Sequence, residues 1–350
     1  MFTFANTLAE GLEATHPQKS LLMLAYGVYR APPRQVKIHP KLVVQYCDNA
    51  EFHWDPKQKA YRVGMLERWA ELTPNIDIYE YYNWSGYHPG RAFVPLISES
   101  IKRFHRLGIR MFRIGMGEDF GRSGLNIYVA AKLLWDPRRD TGEIVGDYCA
   151  KAFGEGASIM RRYFRRLDEK WKEAVEKVGG RTEDITPMHP SFYLISYSPA
   201  TRAELKQLIQ QAENAAQTEA QKARVRLFGQ ALRYAELTVM GVEKILELER
   251  NDVVELQKAT GISFSLTQIV KFAAPSSLPA ARHEKARSLV KETIRQWEER
   301  ERFMDDIAGQ CVLDVRSARS GEVRYRFNPF ARLREIEAAY EGKAAGNAKP

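Results

Sequence analysis

The stretch LLMLAYGVY, residues 21–29, indicates the class of fold. It is a continuous apolar and aromatic run that stops before Pro32 and Pro33, which is typical of a strand covered on both faces. Stretches of the same kind recur at 42–47 (LVVQYC), 76–82 (IDIYEYY) and 110–116 (RMFRIGM). Helical spacing separates them at 61–72 and 93–107. This alternation predicts an α/β fold with a parallel sheet and helices packed outside it.

Two parallel-sheet architectures fit this alternation, a doubly wound sheet and a (β/α)8 barrel. No GxGxxG or GxxxxGK[ST] motif follows a strand, which disfavours nucleotide binding. Aromatic and charged residues instead follow each strand, where a barrel places its active-site loops. About four strands occur, whereas a complete barrel has eight in about 250 residues. We therefore expect residues 1–146 to form a partial (β/α)8 TIM-type barrel.

An open half barrel would leave unpaired strand edges and an uncovered inner face. We therefore expect the chain to be a fragment, or a missing upstream segment or a partner chain to complete the barrel. The remainder of the sequence carries apolar residues at helical spacing over 147–177, 199–220, 223–250 and 289–307. This predicts an all-α helical bundle over 147–341. The last residues, 342–350 (GKAAGNAKP), are predicted to be a disordered tail.

Composition excludes several classes of protein. The chain has 350 residues and a net charge of +9, but the excess of basic residues is spread along it and no nucleic-acid module is evident, so we expect no nucleic-acid partner. A helical nucleic-acid binder is supported only by the basic pI. The cysteines Cys47, Cys149 and Cys311 lack metal or disulfide spacing, and we expect no metal and no cofactor.

The sequence predicts no contact with a membrane. Its apolar runs are too short to span a bilayer, and the opening MFTFANTLAE lacks the features of a signal peptide. As written, the chain is expected in the cytoplasm. A secreted or periplasmic location is expected if it is a fragment of a longer protein.

Three carboxylates are candidates for catalysis. Glu118 and Asp119 follow the fourth strand between glycines, a common position for acid/base groups of glycosidases. Asp48 ends the second strand, with His53 and Trp54 close behind, and a carboxylate beside an indole suits sugar binding. The alternatives are a helix cap for Glu118 and Asp119 and a turn for Asp48.

Several aromatic and basic residues are candidates for substrate binding. The third strand ends in EYYNWSGYH, whose Tyr82, Trp84 and His88 are predicted to form a sugar platform, with core packing as the alternative. Tyr26 and Arg30 close the first strand. The planar guanidinium of Arg30 would suit a carboxylated sugar, although a surface role is the alternative.

Two further features have structural interpretations. Glu80 and Arg113 lie inside apolar strands, and the cost of burying either alone predicts that they form an ion pair. A role facing substrate is the alternative. The Trp135-Asp136-Pro137 sequence predicts a fixed helix exit, because the residue before a proline is restricted to extended backbone.

Three stretches together resemble one bacterial family, the domain of unknown function 4838. They are 6–33 (NTLAEGLEATHPQKSLLMLAYGVYRAPP), 128–140 (YVAAKLLWDPRRD) and 222–237 (KARVRLFGQALRYAEL). The family is related to glycoside hydrolase barrels of the α-glucuronidase and hexosaminidase kind. The resemblance implies that the four strands are the later strands of a barrel whose N-terminal part is missing here.

The resemblance also implies a function. We expect a carbohydrate-active protein that hydrolyses glycosidic bonds of an oligo- or polysaccharide through a carboxylate acid/base pair, with Glu118 as the best local candidate. The alternative is a non-catalytic remnant that binds a glycan or a partner.

Overall fold

The computed structural model describes residues 1–82, 89–115, 117, 119–178, 190–256, 268–324 and 327–342. Within them the chain forms two compact units. The first contains residues 1–82, 93–115 and 125–148, and the second contains 89–92, 117, 119–124 and the described residues from 149 onward. The sequence boundaries at 146 and 341 stay predictions, and residues 343–350 of the expected tail lie outside the described residues.

The first unit is built on one sheet of four parallel strands. They are β1 (Leu21–Ala25), β2 (Leu42–Cys47), β3 (Ile76–Glu80) and β4 (Met111–Ile114), arranged in the order β1-β2-β3-β4. The helices α1 (Phe2–Thr15), α2 (Pro56–Leu72), α3 (Val94–Arg106), α4 (Phe120–Trp135) and α5 (Thr141–Phe153) alternate with or follow them. The prediction of an α/β region with about four parallel strands is confirmed, and the arrangement is consistent with part of a barrel.

Local sequence determines where the helices begin and end. Asp55 precedes α2 and its carboxylate accepts a hydrogen bond from the Gln58 amide, with Pro56 in the first turn; both are typical helix-start features. Beyond the end of α3, Gly108 has φ +79°, a conformation that glycine adopts without steric cost. These signals fix the ends of the helices that connect one parallel strand to the next.

The two faces of the sheet differ in their surroundings. One face carries Val44, Tyr46 and Ile78, which are fully buried together with Leu66 and Trp69 of α2. The register pairs Leu24 with Gln45, Gln45 with Asp77 and Asp77 with Met111, so these residues share the opposite face. On that face Leu22, Leu24 and Met111 are 39%, 47% and 41% exposed. Among the described residues, an apolar core covers the first face, whereas the second face keeps these side chains partly in solvent.

The second unit is mainly helical, as predicted. Its longer helices are α6 (Ala157–Val178), α7 (Pro190–Ser196), α8 (Pro199–Ala215), α9 (Glu219–Arg250), α10 (Ala280–Asp306), α11 (Val315–Arg324) and α12 (Phe330–Tyr340). The helical stretch predicted over 147–177 is divided between α5 and α6 by a 3-10 turn, where Gly154 has φ +54°. A small antiparallel sheet of β5 (Val254–Leu256) and β6 (Ile269–Phe272), which the sequence interpretation missed, completes the unit.

Among the described residues, none of the helices combines the length and apolar character that crossing a lipid bilayer requires.

Candidate functional site

A buried polar cluster lies at the carboxyl ends of β2 and β3. We call Asp48, His53, Arg62 and Glu80 the strand-end cluster. Asp48 directly follows β2 and is 2% exposed. Its carboxylate accepts a hydrogen bond from the Asn49 amide at 2.8 Å and lies 3.2 Å from His53 Nε2 and 3.7 Å from Arg62 Nη1. Asp48 is therefore a buried carboxylate held by two basic side chains.

Glu80 is the last residue of β3 and is fully buried. Its Oε2 accepts hydrogen bonds from the backbone amides of Ala50 and Tyr81, each at 3.2 Å. Its Oε1 has no hydrogen-bond partner among the described residues. A buried carboxyl oxygen without a partner is costly when charged and much less so when protonated.

The pKa values of the two carboxyl groups are shifted in opposite directions. Burial alone would raise the pKa of Asp48, but His53, Arg62 and the Asn49 amide outweigh it and hold that pKa well below its usual range. Burial and the nearby charge of Asp48 raise the pKa of Glu80 well above its usual range, against the weaker effect of its two backbone hydrogen bonds. The surroundings therefore favour the ionised form of Asp48 and the protonated form of Glu80, the kind of division that acid/base catalysis requires.

The cluster depends on Arg62, which sequence reasoning missed. Arg62 lies on α2, where it shares a buried stripe with Gln58, Leu66 and Trp69, and burial lowers its pKa. The available signal was a basic residue on the apolar face of an amphipathic helix, because a buried charge requires a partner. The identity of that partner could not be read from sequence spacing.

An accessible aromatic and basic surface follows β1 in the same unit. Tyr26 is 50% exposed, and the guanidinium carbon of Arg30 lies 6.0 Å from the centre of its ring. The Trp69 indole donates a hydrogen bond to the carbonyl of Arg30 at 2.8 Å, which fixes this loop on α2. The Arg30 Nε is buried without a hydrogen-bond partner among the described residues. Tyr26 and Arg30 thus suit the binding role predicted for them, which stays a prediction.

The other predicted binding residues have different positions. Tyr82 is 1% exposed, shares a 2.6 Å hydrogen bond with Ser100 and packs against Phe93 and Phe112. It belongs to the core, so a role as an exposed sugar platform does not fit it. Trp54 is partly buried. Trp84 and His88 lie outside the described residues.

Asp119 is fully buried in the second unit. Its Oδ1 accepts a hydrogen bond from the Asp314 amide at 2.6 Å and lies 2.7 Å from Arg122 Nη2. These contacts give Asp119 a structural position beside the start of α4, in line with the capping alternative and not with an accessible catalytic group. Glu118, its predicted partner, lies outside the described residues.

The predicted ion pair between Glu80 and Arg113 is wrong. Arg113 instead pairs with Asp77, whose Oδ2 lies 2.9 Å from Arg113 Nε and also accepts a hydrogen bond from Gln45 Nε2 at 2.6 Å. The register aligns Arg113 with Tyr79 and Glu80 with Ile114. Because neighbouring residues of a strand point to opposite faces, Glu80 and Arg113 cannot meet.

No group of three or more His, Cys, Asp or Glu residues in the described ranges could hold a metal ion. The expected absence of a metal stays a prediction.

No curated protein and no solved structure matches the chain. The resemblance inferred from the sequence is confirmed over its N-terminal part: residues 1–165 match the family model described as Domain of unknown function (DUF4838).

Proposed function

We propose that the protein is a carbohydrate-active protein that hydrolyses glycosidic bonds, with Glu80 and Asp48 as its carboxyl pair. The observation that supports this is the opposite pKa shift of the two groups at the ends of neighbouring parallel strands. Carboxyl ends of parallel strands are where barrel enzymes carry their catalytic groups. Glycosidases need one protonated and one ionised carboxyl beside the bond that breaks.

The two carboxyls would have different roles. Glu80, whose raised pKa favours the protonated form, would donate its proton to the leaving-group oxygen as the sugar bond breaks. Asp48, ionised beside His53 and Arg62, would stabilise the positive charge that develops on the sugar ring. Water would then add to the anomeric carbon and give a proton back to Glu80, which restores the starting state. Tyr26 would stack on a sugar face while Arg30 donates hydrogen bonds to its oxygens.

A second function from another class is supported by burial. Asp48 and Glu80 are 2% and 0% exposed, and their described contacts are those of a structural network. This favours a non-catalytic remnant that binds a glycan through Tyr26 and Arg30 without cleaving it.

An assay of the purified chain against a panel of aryl glycosides and uronides tests both functions. We expect Glu80→Gln to reduce turnover at least about 100-fold, the usual contribution of a general acid. Asp77→Asn is the matched control, because Asp77 is a buried carboxylate on the other face of the same strand. Unchanged turnover in Glu80→Gln would remove Glu80 from the mechanism, and the same change at Glu118 then tests the original prediction.

Absence of turnover together with measurable oligosaccharide binding would favour the remnant. Loss of that binding in Tyr26→Ala would assign it to the surface after β1.

We also propose that another polypeptide segment completes the sheet. The exposed Leu22, Leu24 and Met111 support this, as do β1 and β4, each of which pairs with one strand in the described sheet. A shift of the purified chain from monomer to a larger species on adding a candidate segment, measured by sedimentation, would test it.

A further inference from the structure

Trp135 is a large apolar side chain that the described fold leaves in solvent. It is 90% exposed at the end of α4. The buried residues of that helix include Leu125, Val129 and Leu133. Trp135 lies two residues beyond Leu133, about 200° around a helix of 3.6 residues per turn, and so points away from the buried stripe.

Hydrogen bonds close the turn that follows Trp135. Asp136 Oδ1 accepts hydrogen bonds from the backbone amide of Arg138 at 3.1 Å and from its Nε at 2.9 Å. Pro137 fixes the backbone between them, and the amide of Arg139 donates to the Asp136 carbonyl at 3.3 Å. Trp135 is therefore presented beside an Asp136–Arg138 pair that forms without a ligand.

The composition of the turn restricts what it can bind. Asp136 and Asp140 balance the charges of Arg138 and Arg139, which gives no net attraction for a polyanion. Besides Trp135, the exposed apolar surface here includes Leu134, the preceding residue of α4, which is 40% exposed. That is a small apolar area compared with the roughly 800 Å² that each partner contributes to a stable protein interface.

We infer that Trp135 and the Asp136–Arg138 pair form a binding platform for an uncharged polysaccharide, separate from the strand-end cluster. A flat indole covers the apolar face of a sugar ring, and the carboxylate and guanidinium accept from and donate to its hydroxyls. The choice of a glycan as ligand rests on the proposed function. The platform is a second, non-catalytic binding point for the polysaccharide, at the end of α4.

Binding of the full chain to neutral polysaccharides tests the inference. We would measure retardation in gels that contain soluble xylan, hydroxyethyl cellulose or glycol chitosan acetylated to neutrality. We expect the wild type to be retarded by at least one of them, Trp135→Ala to bind at least 10-fold more weakly and Trp135→Phe to keep part of the affinity. Leu134→Ala, a neighbouring exposed apolar residue, is the control and should bind as the wild type does.

The outcomes separate this inference from the proposed hydrolysis. Trp135→Ala should keep the wild-type level of turnover of small aryl glycosides, so a failure of hydrolysis leaves the binding result intact. A wild type that binds none of these polymers, or a Trp135→Ala variant that binds as tightly as the wild type, would overturn the platform. The platform would also be overturned if Trp135→Ala changed only the self-association of the protein, or if the protein bound only an anionic polysaccharide such as heparin.

Discussion

His53 Nε2 lies 3.2 Å from the carboxylate of Asp48, and both side chains are 2% exposed. The imidazole and the nearby Arg62 guanidinium allow a buried carboxylate to stay ionised. Glu80, at the end of the next strand, has no basic side chain bonded to it among the described residues, and its raised pKa favours the protonated form. The two carboxyls therefore favour different charge states, because basic side chains contact Asp48 whereas the described hydrogen bonds to Glu80 come from backbone amides.

Asp48→Asn should destabilise the protein by about 3 kcal/mol, since removing one member of a buried ion pair leaves the other uncompensated. Glu80→Gln should cost less than about 1 kcal/mol, because a neutral amide resembles the protonated acid and can still accept from both backbone amides. Urea unfolding at pH 7 compares the two. Equal losses would contradict the assignment of opposite charge states.

The stability of the wild type should fall as pH rises in a way that depends on Glu80. Its pKa is raised in the folded protein, so the folded state binds this proton more tightly than the unfolded state does. The contribution is fully present below the unfolded pKa and is lost as pH rises through the folded pKa. The measurement is the urea midpoint of the wild type and of Glu80→Gln at a series of pH values. The midpoint of the wild type should fall relative to that of the variant as pH rises. A flat difference would count against a protonated Glu80.

Asp168 on α6 should titrate near neutral pH. Burial raises its pKa to about 7, with a smaller contribution from Glu169, against the lowering effect of Lys172. Its Oδ1 has no hydrogen-bond partner among the described residues. Carbon NMR of the side-chain carboxyls should show a midpoint near 7 that is absent in Asp168→Asn, and a midpoint near 4 would contradict the burial.

Stability across the same pH range gives a second measurement for Asp168. Because its folded pKa is raised, the stabilising contribution is present below about pH 4 and is lost as pH rises through about 7. The Asn variant should lack that slope.

Arg300→Met should destabilise the second unit by about 3 to 5 kcal/mol. Arg300 is fully buried, pairs with buried Glu322 and donates to Thr238 Oγ1 at 2.9 Å and to the Tyr234 hydroxyl at 3.0 Å. Its removal leaves Glu322 charged and buried.

Arg334, 45% exposed in its pairs with Glu298 and Glu337, is the matched control, and Arg334→Met should cost less than about 1 kcal/mol. Thermal unfolding of both variants compares them.

Gly156→Ala should destabilise the protein whereas Gly64→Ala should stabilise it. A Cβ at Gly156 would meet the backbone carbonyl oxygen of Ala212 at 2.9 Å, and overpacking of this kind costs about 1 to 3 kcal/mol. A Cβ at Gly64, inside α2, would meet nothing within 4 Å, and alanine there should add about 0.5 to 1 kcal/mol. Equal effects in urea unfolding would contradict the close approach at Gly156.

The strands could be predicted because each is an apolar run of strand length. Residues 42–47 correspond to β2 without change, and the others shorten by a few residues at their ends. β5 and β6 were missed because they span three and four residues between two helices, too few for periodicity to indicate a strand.

The site was predictable in part. Asp48 and Tyr26 each directly follow a predicted strand. Their position at the strand ends could therefore be predicted from the order of the elements along the chain. The burial of Tyr82 and the pairing of Arg113 with Asp77 depend on which face of a strand each residue occupies. The residues that they contact lie on elements distant in sequence, and the spacing of residues within one strand does not identify them.

The exposed face of the sheet has a consequence for how the chain folds from a denaturant. Leu22, Leu24 and Met111 face solvent, and β1 is an uncharged strand at the edge of the sheet. Edges of this kind recruit strands from other molecules. The yield of refolded protein should therefore fall steeply with chain concentration, because pairing between molecules is second order whereas folding within one molecule is first order.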